Sequence, residues 1–380
     1  MPVVALLTAA VWFLLRPPAA GPAEIAAAAF LAAYGLTPGA RLMAIGAGAL
    51  DHPEARKPHR IPTPRLGGVA VVASFLLVLG RRALDDRELL AIALAALALM
   101  TAGAIDDTRG LSARLRLLLQ IGCALFVMAA GVRLHLLPGQ AGALVDGLLT
   151  VLWIVGLTNA YNFIDGIDGL AAGLGALIAI LLGLSAAAGG QVVMVPATAA
   201  LAGALLGFLP HNLRPHGRPA SIFLGDSGSA SVGFLLAALA IKEDWAEKDP
   251  LAALATPILI FSVLIYDMVQ TTLARIASGR VRTFRQWIDY TGRDHIHHRL
   301  SEVLGGPRRA LALVLTLALG VGLSALGLRH AGSGLAVILI LHAALVLLVV
   351  EILVGAARRR HAPLASPVSS APVALGEERA

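Results

Sequence analysis

Long apolar runs dominate this chain, and short polar segments separate them. After residue 65, ten runs approach the length of about 20 apolar residues that a helix needs to cross a bilayer. The runs are nearly continuous rather than alternating, which predicts membrane-spanning helices. They occupy residues 66–80, 88–105, 115–131, 147–163, 169–187, 192–209, 229–241, 251–270, 310–328 and 334–354.

Residues 1–50 predict one further span, or two. Met1–Leu15 is apolar but short, and Arg16-Pro17-Pro18 interrupts it. Glu24–Leu36 is a second apolar stretch, which we expect to end at Thr37-Pro38-Gly39 because proline breaks helices. Met1–Leu15 lacks the basic leader of a secretory signal peptide, so we favour a membrane segment over a signal peptide.

These runs predict an all-α integral membrane protein, a polytopic bundle of about 11 transmembrane helices. We expect one domain over residues 1–356 and a disordered cytoplasmic tail over 357–380. Composition agrees, because only 14% of the residues are charged, against about 25% in an average soluble domain. Cys123 is the single cysteine, so no intramolecular disulfide can form.

The basic residues predict an orientation. When the ten later runs alternate across the bilayer, one set of loops carries 21 Lys and Arg residues and the other carries 7. The positive-inside rule places the first set in the cytoplasm. It also explains the net charge of +7 without nucleic-acid binding, which we do not expect.

Polar residues at membrane depth cost free energy and tend to mark functional sites. Here they form clusters at the predicted cytoplasmic helix ends. In the first cluster, the basic side chains of Arg56, Lys57 and His59 precede Arg65 and the pair Gly67-Gly68. Basic groups beside a glycine-rich helix entrance suit an anionic ligand, because exposed N–H groups there attract phosphate. The alternative is an ordinary basic cytoplasmic loop.

Adjacent acids form the second cluster. Asp106 and Asp107 directly follow the apolar run Leu89–Ile105. Neighbouring carboxylates repel each other unless a cation or a base lies near, so they suggest a metal, a proton acceptor or a substrate contact. A solvated helix end is the alternative.

The third cluster closes the span at 147–163. Asn159, Asn162, Asp165 and Asp168 supply amide and carboxylate oxygens, and glycines follow both acids. Oxygen-rich clusters suit a hard cation such as Mg²⁺ and hydrogen bonding to a polar ligand. In the fourth cluster, Asp226 lies between glycines, with two serines that could be helix caps.

Histidines form the fifth cluster, at the end of the longest loop. His295, His297, His298 and Arg299 follow several arginines. A zinc site is the rival interpretation, but the spacing lacks the i, i+4 pair of a helical zinc motif. Histidines mixed with arginines favour a phosphate-rich ligand.

Together, the ordered clusters resemble the polyprenyl-phosphate N-acetylhexosamine-1-phosphate transferases over residues 51–300. The resemblance rests on Asp51…His59, Pro64…Gly67-Gly68, Asp106-Asp107, Leu111-Ser112, Arg116, Gln120, Asn159…Asn162…Asp165-Gly166…Asp168-Gly169, Phe223…Gly225-Asp226…Gly228-Ser229 and His295-Ile296-His297-His298. It implies a multi-pass enzyme of the bacterial cytoplasmic (inner) membrane with a cytoplasmic catalytic face. Such an enzyme moves a sugar 1-phosphate from a UDP-N-acetylhexosamine onto polyprenyl (undecaprenyl) phosphate and releases UMP.

The resemblance also implies roles for individual residues. Asp226 and Asn162 resemble ligands of Mg²⁺, with Mn²⁺ as an alternative ion. Asp106 and Asp107 resemble the pair that orients or deprotonates the lipid phosphate. Asp165 and Asp168 resemble contacts to the nucleotide, and the sugar-diphosphate clamp is implied for His295, His297, His298 and Arg299. Asn159 is expected to bind substrate. The residues expected to be catalytic are Asp106, Asp107, Asp226 and His297. Asp267, near the end of its span, is expected to support the site.

The interrupted histidine run resembles the branch that transfers N-acetylhexosamine 1-phosphate for surface polysaccharides, and we favour GlcNAc. The alternative is the branch that transfers phospho-MurNAc-pentapeptide. A secondary transporter is a competing class, but transport predicts polar groups near the membrane midplane rather than at one face. The sequence leaves a homodimer open.

Overall fold

A computed structural model describes residues 20–53, 61–243, 250–290, 292–328 and 333–361. Arg56, Lys57 and His59 lie outside these residues, as does the tail beyond residue 361. The described helices are α1 Pro22–Ala47, α2 Gly67–Leu84, α3 Arg87–Arg109, α4 Ala113–Ala130, α5 Gly139–Ile164, α6 Leu170–Ala188, α7 Met194–Asn212, α8 Asp226–Lys242, α9 Pro250–Ile260, α10 Ser262–Ala277, α11 Phe284–Asp289, α12 Ile296–Leu304, α13 Pro307–Leu328 and α14 Ser333–His361. Two short strands, β1 Leu50–Asp51 and β2 Thr63–Pro64, pair antiparallel.

The predicted all-α membrane fold is confirmed. Eight of the described helices are long and apolar enough to span a bilayer, and α9 with α10 makes a ninth if this pair, bent by 76°, is one span. The prediction of about eleven is higher because it includes two short helices. The apolar part of α2 ends at a break at Gly80, and α8 has only 17 residues.

Helix α1 continues through Pro38, so the expected break there is wrong. Proline lacks the N–H that would bond to the carbonyl four residues earlier, which here is Tyr34 O. The Nε2 atom of His211, from α7, lies 3.2 Å from that oxygen. A side chain from a neighbouring helix therefore replaces the hydrogen bond that Pro38 removes.

Helix α8 lies at the centre of the bundle, between α2, α3 and α5. Nearly all of its residues are buried, including Phe234 and the three serines of its first two turns. Close approach explains the glycines around it. A Cβ atom on Gly68 would lie 2.1 Å from Gly228, and one on Gly103 would lie 2.5 Å from Ser227. These contacts bring the ends of α2 and α3 against the start of α8.

The peptide groups of the first and fourth clusters are hydrogen-bonded to each other. The N–H groups of Gly67 and Gly68 donate to Phe223 O and Leu224 O at 3.0 and 2.8 Å. The prediction that these N–H groups are exposed and available to bind phosphate is wrong. They are already hydrogen-bonded, and they hold the segment before α8 in place. The same pairing positions Arg65 beside the start of α8.

Candidate active site

A cavity of about 760 Å³ lies where the polar clusters meet. It receives residues from segments that are far apart in sequence, at the ends of α3 and α5 and at the start of α8. Its charged and amide side chains are Asp51, Arg65, Asp107, Asn162, Asp165, Asp168, Asn212, Arg218, Asp226, Arg293, His298 and Arg308. The cavity thus combines carboxylates with guanidinium groups.

Asp107 caps α8 from a different helix. Its two carboxylate oxygens accept hydrogen bonds from the backbone N–H groups of Asp226 and Ser227, at 3.1 and 3.0 Å. A carboxylate at a helix N-terminus satisfies donors that have no partner within the helix. The Arg65 Nε atom lies 3.8 Å from Asp107 Oδ1. Asp107 therefore fixes the position of Asp226 as well as lining the cavity.

Gly225 makes this cap possible. Its φ of 75° lies in a region that other residues rarely adopt. A Cβ atom at this position would lie 1.9 Å from Arg65 O and 2.6 Å from Asp107 Oδ2. Glycine is required here because the two chain segments approach so closely.

Asp106 and Asp226 share a cation. The Arg116 Nη1 atom lies 3.1 Å from Asp106 Oδ2 and 3.7 Å from Asp226 Oδ1. Asp106 Oδ1 also accepts from the N–H of Leu111. The Nδ2 atom of Asn162 donates to Asp226 Oδ1 at 3.0 Å. Asp226 is therefore linked to both the second and the third cluster.

The turn between α5 and α6 carries the other acids. Asp168 Oδ2 accepts from the N–H of Ala220, and Asn212 Oδ1 accepts from Gly169 N–H. Burial raises the pKa of Asp165 to about 7, and the neighbouring charges of Asp226 and Asp107 add to this effect. The cavity therefore concentrates negative charge that the described residues only partly neutralise.

Asn159 is placed outside this cavity. Its Nδ2 atom donates to Gln120 Oε1 at 2.6 Å and to Val155 O at 2.8 Å. These bonds tie α5 to α4 and account for Asn159 by structure alone.

The two central histidines differ in exposure. His298 lines the cavity, whereas His297 is 1% exposed. The Nε2 atom of His297 is packed so closely on Gly166 that a Cβ atom there would lie 2.1 Å from it. Burial is the main cause that lowers the pKa of both imidazoles, and the Arg293 charge adds to it. His297 is thus a neutral ring beneath the Asp165–Asp168 turn.

His295 and Arg299 face protein partners rather than the cavity. His295 Nδ1 lies 2.7 Å from Asp267 Oδ2. Arg299 Nη2 donates to both carboxylate oxygens of Glu351, at 2.8 and 2.9 Å. These placements do not fit the expected sugar-diphosphate contact, because each side chain is already engaged with an acid on a membrane helix.

Four arginines of the cavity wall were missed as site residues, namely Arg65, Arg218, Arg293 and Arg308. Arg293 and Arg65 lie next to recognised motifs, which could have signalled them. Arg218 and Arg308 follow α7 and begin α13, and nothing in their local sequence distinguishes them from other cytoplasmic basic residues.

Comparison with known proteins supports the family resemblance that the ordered clusters indicate. Residues 89–243 match the family described as glycosyl transferase family 4. Over 312 residues, the chain is 32% identical to the probable undecaprenyl-phosphate N-acetylglucosaminyl 1-phosphate transferase of Bacillus subtilis (strain 168), covering 80% of this chain and 84% of the relative. It is 35% identical over 326 residues to the decaprenyl-phosphate N-acetylglucosaminephosphotransferase of Mycolicibacterium smegmatis, covering 77% of this chain and 78% of the relative.

Similarity to the pentapeptide branch is shorter. The phospho-N-acetylmuramoyl-pentapeptide-transferase of a Synechococcus species is 41% identical over 203 residues, which cover 48% of this chain and 57% of the relative. The clusters, the membrane fold and these similarities agree. The chain belongs to the polyprenyl-phosphate N-acetylhexosamine-1-phosphate transferases, within glycosyl transferase family 4.

Proposed function

We propose that this protein transfers GlcNAc 1-phosphate from UDP-GlcNAc to a polyprenyl phosphate and releases UMP. The observation that carries the proposal is the single cavity in which Asp107, Asn162, Asp165 and Asp226 meet four arginines. GlcNAc is favoured over MurNAc-pentapeptide because the relatives named for GlcNAc transfer match 77–80% of this chain, while the pentapeptide transferase matches 48%. Undecaprenyl and decaprenyl phosphates are both candidate acceptors.

In the proposed reaction, an oxygen of the lipid phosphate attacks the β-phosphorus of UDP-GlcNAc. The bond between that phosphorus and the oxygen bridging to the α-phosphate breaks, and UMP leaves with the bridging oxygen. The product is a lipid-linked sugar diphosphate. The second pKa of a phosphate monoester is about 6, so the attacking group is largely dianionic at neutral pH. The acceptor therefore needs no strong general base to deprotonate it.

The main task of the protein is to bring several negative phosphates together and keep them aligned. Arg65, Arg218, Arg293 and Arg308 supply positive charge along the cavity wall. Guanidinium groups suit this role because they donate in a fixed fork that matches phosphate oxygens. Arg116 is paired with both Asp106 and Asp226, so its positive charge responds to a change of charge on either carboxylate.

The donor set fits a magnesium ion. Among the described residues, no group of three or more His, Cys, Asp or Glu side chains has metal-binding geometry. Asp226, Asp107, Asp165 and the amide oxygen of Asn162 nevertheless line one cavity and are the hard oxygen donors that Mg²⁺ prefers. Burial raises the pKa of Asp165 to about 7, and repulsion by Asp226 and Asp107 adds to this effect. A bound cation would favour the ionised carboxylate. When bound, the ion would neutralise phosphate charge and help to orient the diphosphate.

We further propose that the cavity opens toward the cytoplasm of a bacterial inner membrane. Support comes from the ratio of 21 to 7 basic residues between the two sets of loops. UDP-sugars are cytoplasmic metabolites, so this orientation also gives the donor direct access. Accessibility of engineered cysteines to a membrane-impermeant thiol reagent in whole cells would test the orientation.

A panel of UDP-sugars tests the proposed function. Purified protein in detergent should release UMP from UDP-GlcNAc only when polyprenyl phosphate and Mg²⁺ are both present. UDP-GalNAc and UDP-MurNAc-pentapeptide should be turned over at least about 10-fold more slowly, which corresponds to about 1.4 kcal/mol of discrimination. Asp226→Asn should abolish release. Asp146→Asn is the matched control, since Asp146 is buried in α5 about 24 Å along the helix from Asn162. Preference for the pentapeptide donor, or no release from any donor, would reject the proposal.

A further inference from the structure

The helix that carries His297 and His298 begins at a carboxylate from another helix. Asp267, on α10, is 2% exposed. Its Oδ1 atom accepts from the backbone N–H of Ile296 at 2.6 Å, and its Oδ2 atom lies 2.7 Å from His295 Nδ1. Asp267 thereby satisfies a donor at the first turn of α12 and holds the residue before that turn.

The neighbours of His295 define its protonation pattern. The Arg275 Nη2 atom lies 3.3 Å from His295 Nε2. A guanidinium can only donate, so Nε2 accepts and the proton lies on Nδ1, which donates to Asp267. Arg275 also makes a double hydrogen bond to Asp294, at 2.8 and 2.7 Å, and stacks on Tyr290. The polar side chains at the start of α12 therefore form a continuous series of contacts, from Asp267 through His295 and Arg275 to Asp294.

A second contact holds the middle of α12. Arg299 donates to Glu351 of α14, and the Tyr266 hydroxyl donates to the same carboxylate. Tyr266 and Asp267 are consecutive on α10. Two adjacent residues of one membrane helix therefore fix α12, one directly and the other through Glu351.

His297 does not hold α12 in place through hydrogen bonds. Within the described residues, neither ring nitrogen of His297 has a hydrogen-bond partner, although the side chain is buried. The position of the His297 ring against Gly166 is therefore set by the backbone of α12. The same backbone determines how far His298 reaches into the cavity.

We propose that Asp267 is a positioning residue for the histidine helix. It acts by fixing the start of α12 and makes no contact with substrate, since it does not line the cavity. The consequence for turnover rests on the proposed function above, while the consequence for the structure does not. Displacing reacting groups by about 1 Å can cost about 100-fold in rate, so we expect a large kinetic effect from a residue outside the cavity.

Hydrogen–deuterium exchange tests the structural part. In Asp267→Ala, the amides of Ile296–Leu304 should exchange at least about 10-fold faster than in the wild type, because the first turn loses its cap. Asp267→Asn keeps an oxygen for Ile296 N–H and should restore part of this protection. Asp146→Ala is the control, since Asp146 is also 2% exposed and accepts backbone N–H groups, of Leu136 and Leu137, elsewhere on a membrane helix. It should leave exchange over Ile296–Leu304 unchanged.

Kinetics test the functional part. With UDP-GlcNAc as donor, kcat/KM should fall about 10-fold to 100-fold in Asp267→Ala. It should recover partly in Asp267→Asn and stay near the wild-type value in Asp146→Ala at similar thermal stability. If Asp267→Ala does not fold, the Asp267→Asn protein carries both measurements.

Unchanged exchange over Ile296–Leu304, or a kinetic loss equal to that of the Asp146 control, would overturn the proposal. If the wild type does not turn over UDP-GlcNAc, the proposed function fails, but the exchange result still decides whether Asp267 positions α12. The two failures are therefore distinguishable.

Discussion

Gly225→Ala is the sharpest structural perturbation of this site. The Gly225 backbone has φ of 75° and ψ of 174°, a conformation that costs a residue with a side chain about 1–3 kcal/mol. In addition, the new Cβ atom would lie 1.9 Å from Arg65 O and 2.6 Å from Asp107 Oδ2. Cβ atoms are essentially never found within 3.0 Å of other heavy atoms, so Arg65 and Gly225 must separate by more than about 1 Å.

That displacement affects the catalytic groups directly. Separating Arg65 from Gly225 weakens the cap that Asp107 makes on α8. Asp226 then moves, because it lies at the start of this helix. A shift of about 1 Å at reacting groups corresponds to about 100-fold in rate. We therefore expect Gly225→Ala to lose at least about 100-fold in UMP release and more than about 3 kcal/mol in the free energy of unfolding.

Gly190→Ala separates the effect of backbone strain from the effect of the steric clash of the new Cβ atom. Gly190 also has a positive φ, of 68°, but a Cβ atom there would meet nothing within 4 Å. This control should lose only about 1–3 kcal/mol of stability and keep wild-type turnover. Thermal unfolding in detergent and UMP release measure both variants. Equal stability and equal turnover for the two variants would refute the close approach of Arg65, Gly225 and Asp107.

Three further predictions concern charge. Asp107→Asn keeps one oxygen but presents an amide NH₂ to a backbone N–H at the start of α8. The free energy of unfolding should therefore fall by about 1.5–3 kcal/mol. The melting temperature should be lower than that of Asp146→Asn. The pKa of His297 is held well below its usual value, chiefly by burial. Only the unfolded state then binds a proton at this side chain, so the free energy of unfolding should decrease as pH falls below about 6.5. In His297→Gln, the melting temperature should depend less on pH between about pH 7 and 5. A pH dependence unchanged by this substitution would contradict the buried neutral ring. Finally, Mg²⁺ at about 100 times its dissociation constant should stabilise the wild type by about 2.7 kcal/mol but not Asp226→Asn; equal stabilisation of both would remove Asp226 from the metal site.

Much of the site could be predicted because function concentrates unusual residues at helix ends. Charged groups are scarce in this chain, so Asp107, Asn162, Asp165 and Asp226 stood out against apolar runs, and all four line the cavity. The membrane fold followed from the same contrast. The roles assigned to these four residues, in orienting the lipid phosphate for Asp107 and in metal or nucleotide binding for the others, stay predictions.

Long-range pairing explains what local sequence could not show. His295 meets Asp267 and Arg299 meets Glu351, 28 and 52 residues away, so neither partner is visible from spacing. The N–H groups of Gly67-Gly68 looked available for phosphate until the structure showed their bonds to Phe223 and Leu224. Helix α1 passes Pro38 because His211 compensates from another helix. Each of these errors arose because a residue distant in sequence forms a hydrogen bond or ion pair with a group that local sequence leaves without a visible partner.

The central claim is that a sugar 1-phosphate moves, rather than the sugar alone. UDP-GlcNAc labelled with ³²P at the β-phosphate distinguishes the two reactions directly. We predict that the purified protein, given polyprenyl phosphate and Mg²⁺, places the label in a lipid-linked sugar diphosphate and releases unlabelled UMP in equal amount. Release of labelled UDP with an unlabelled lipid product would contradict the account.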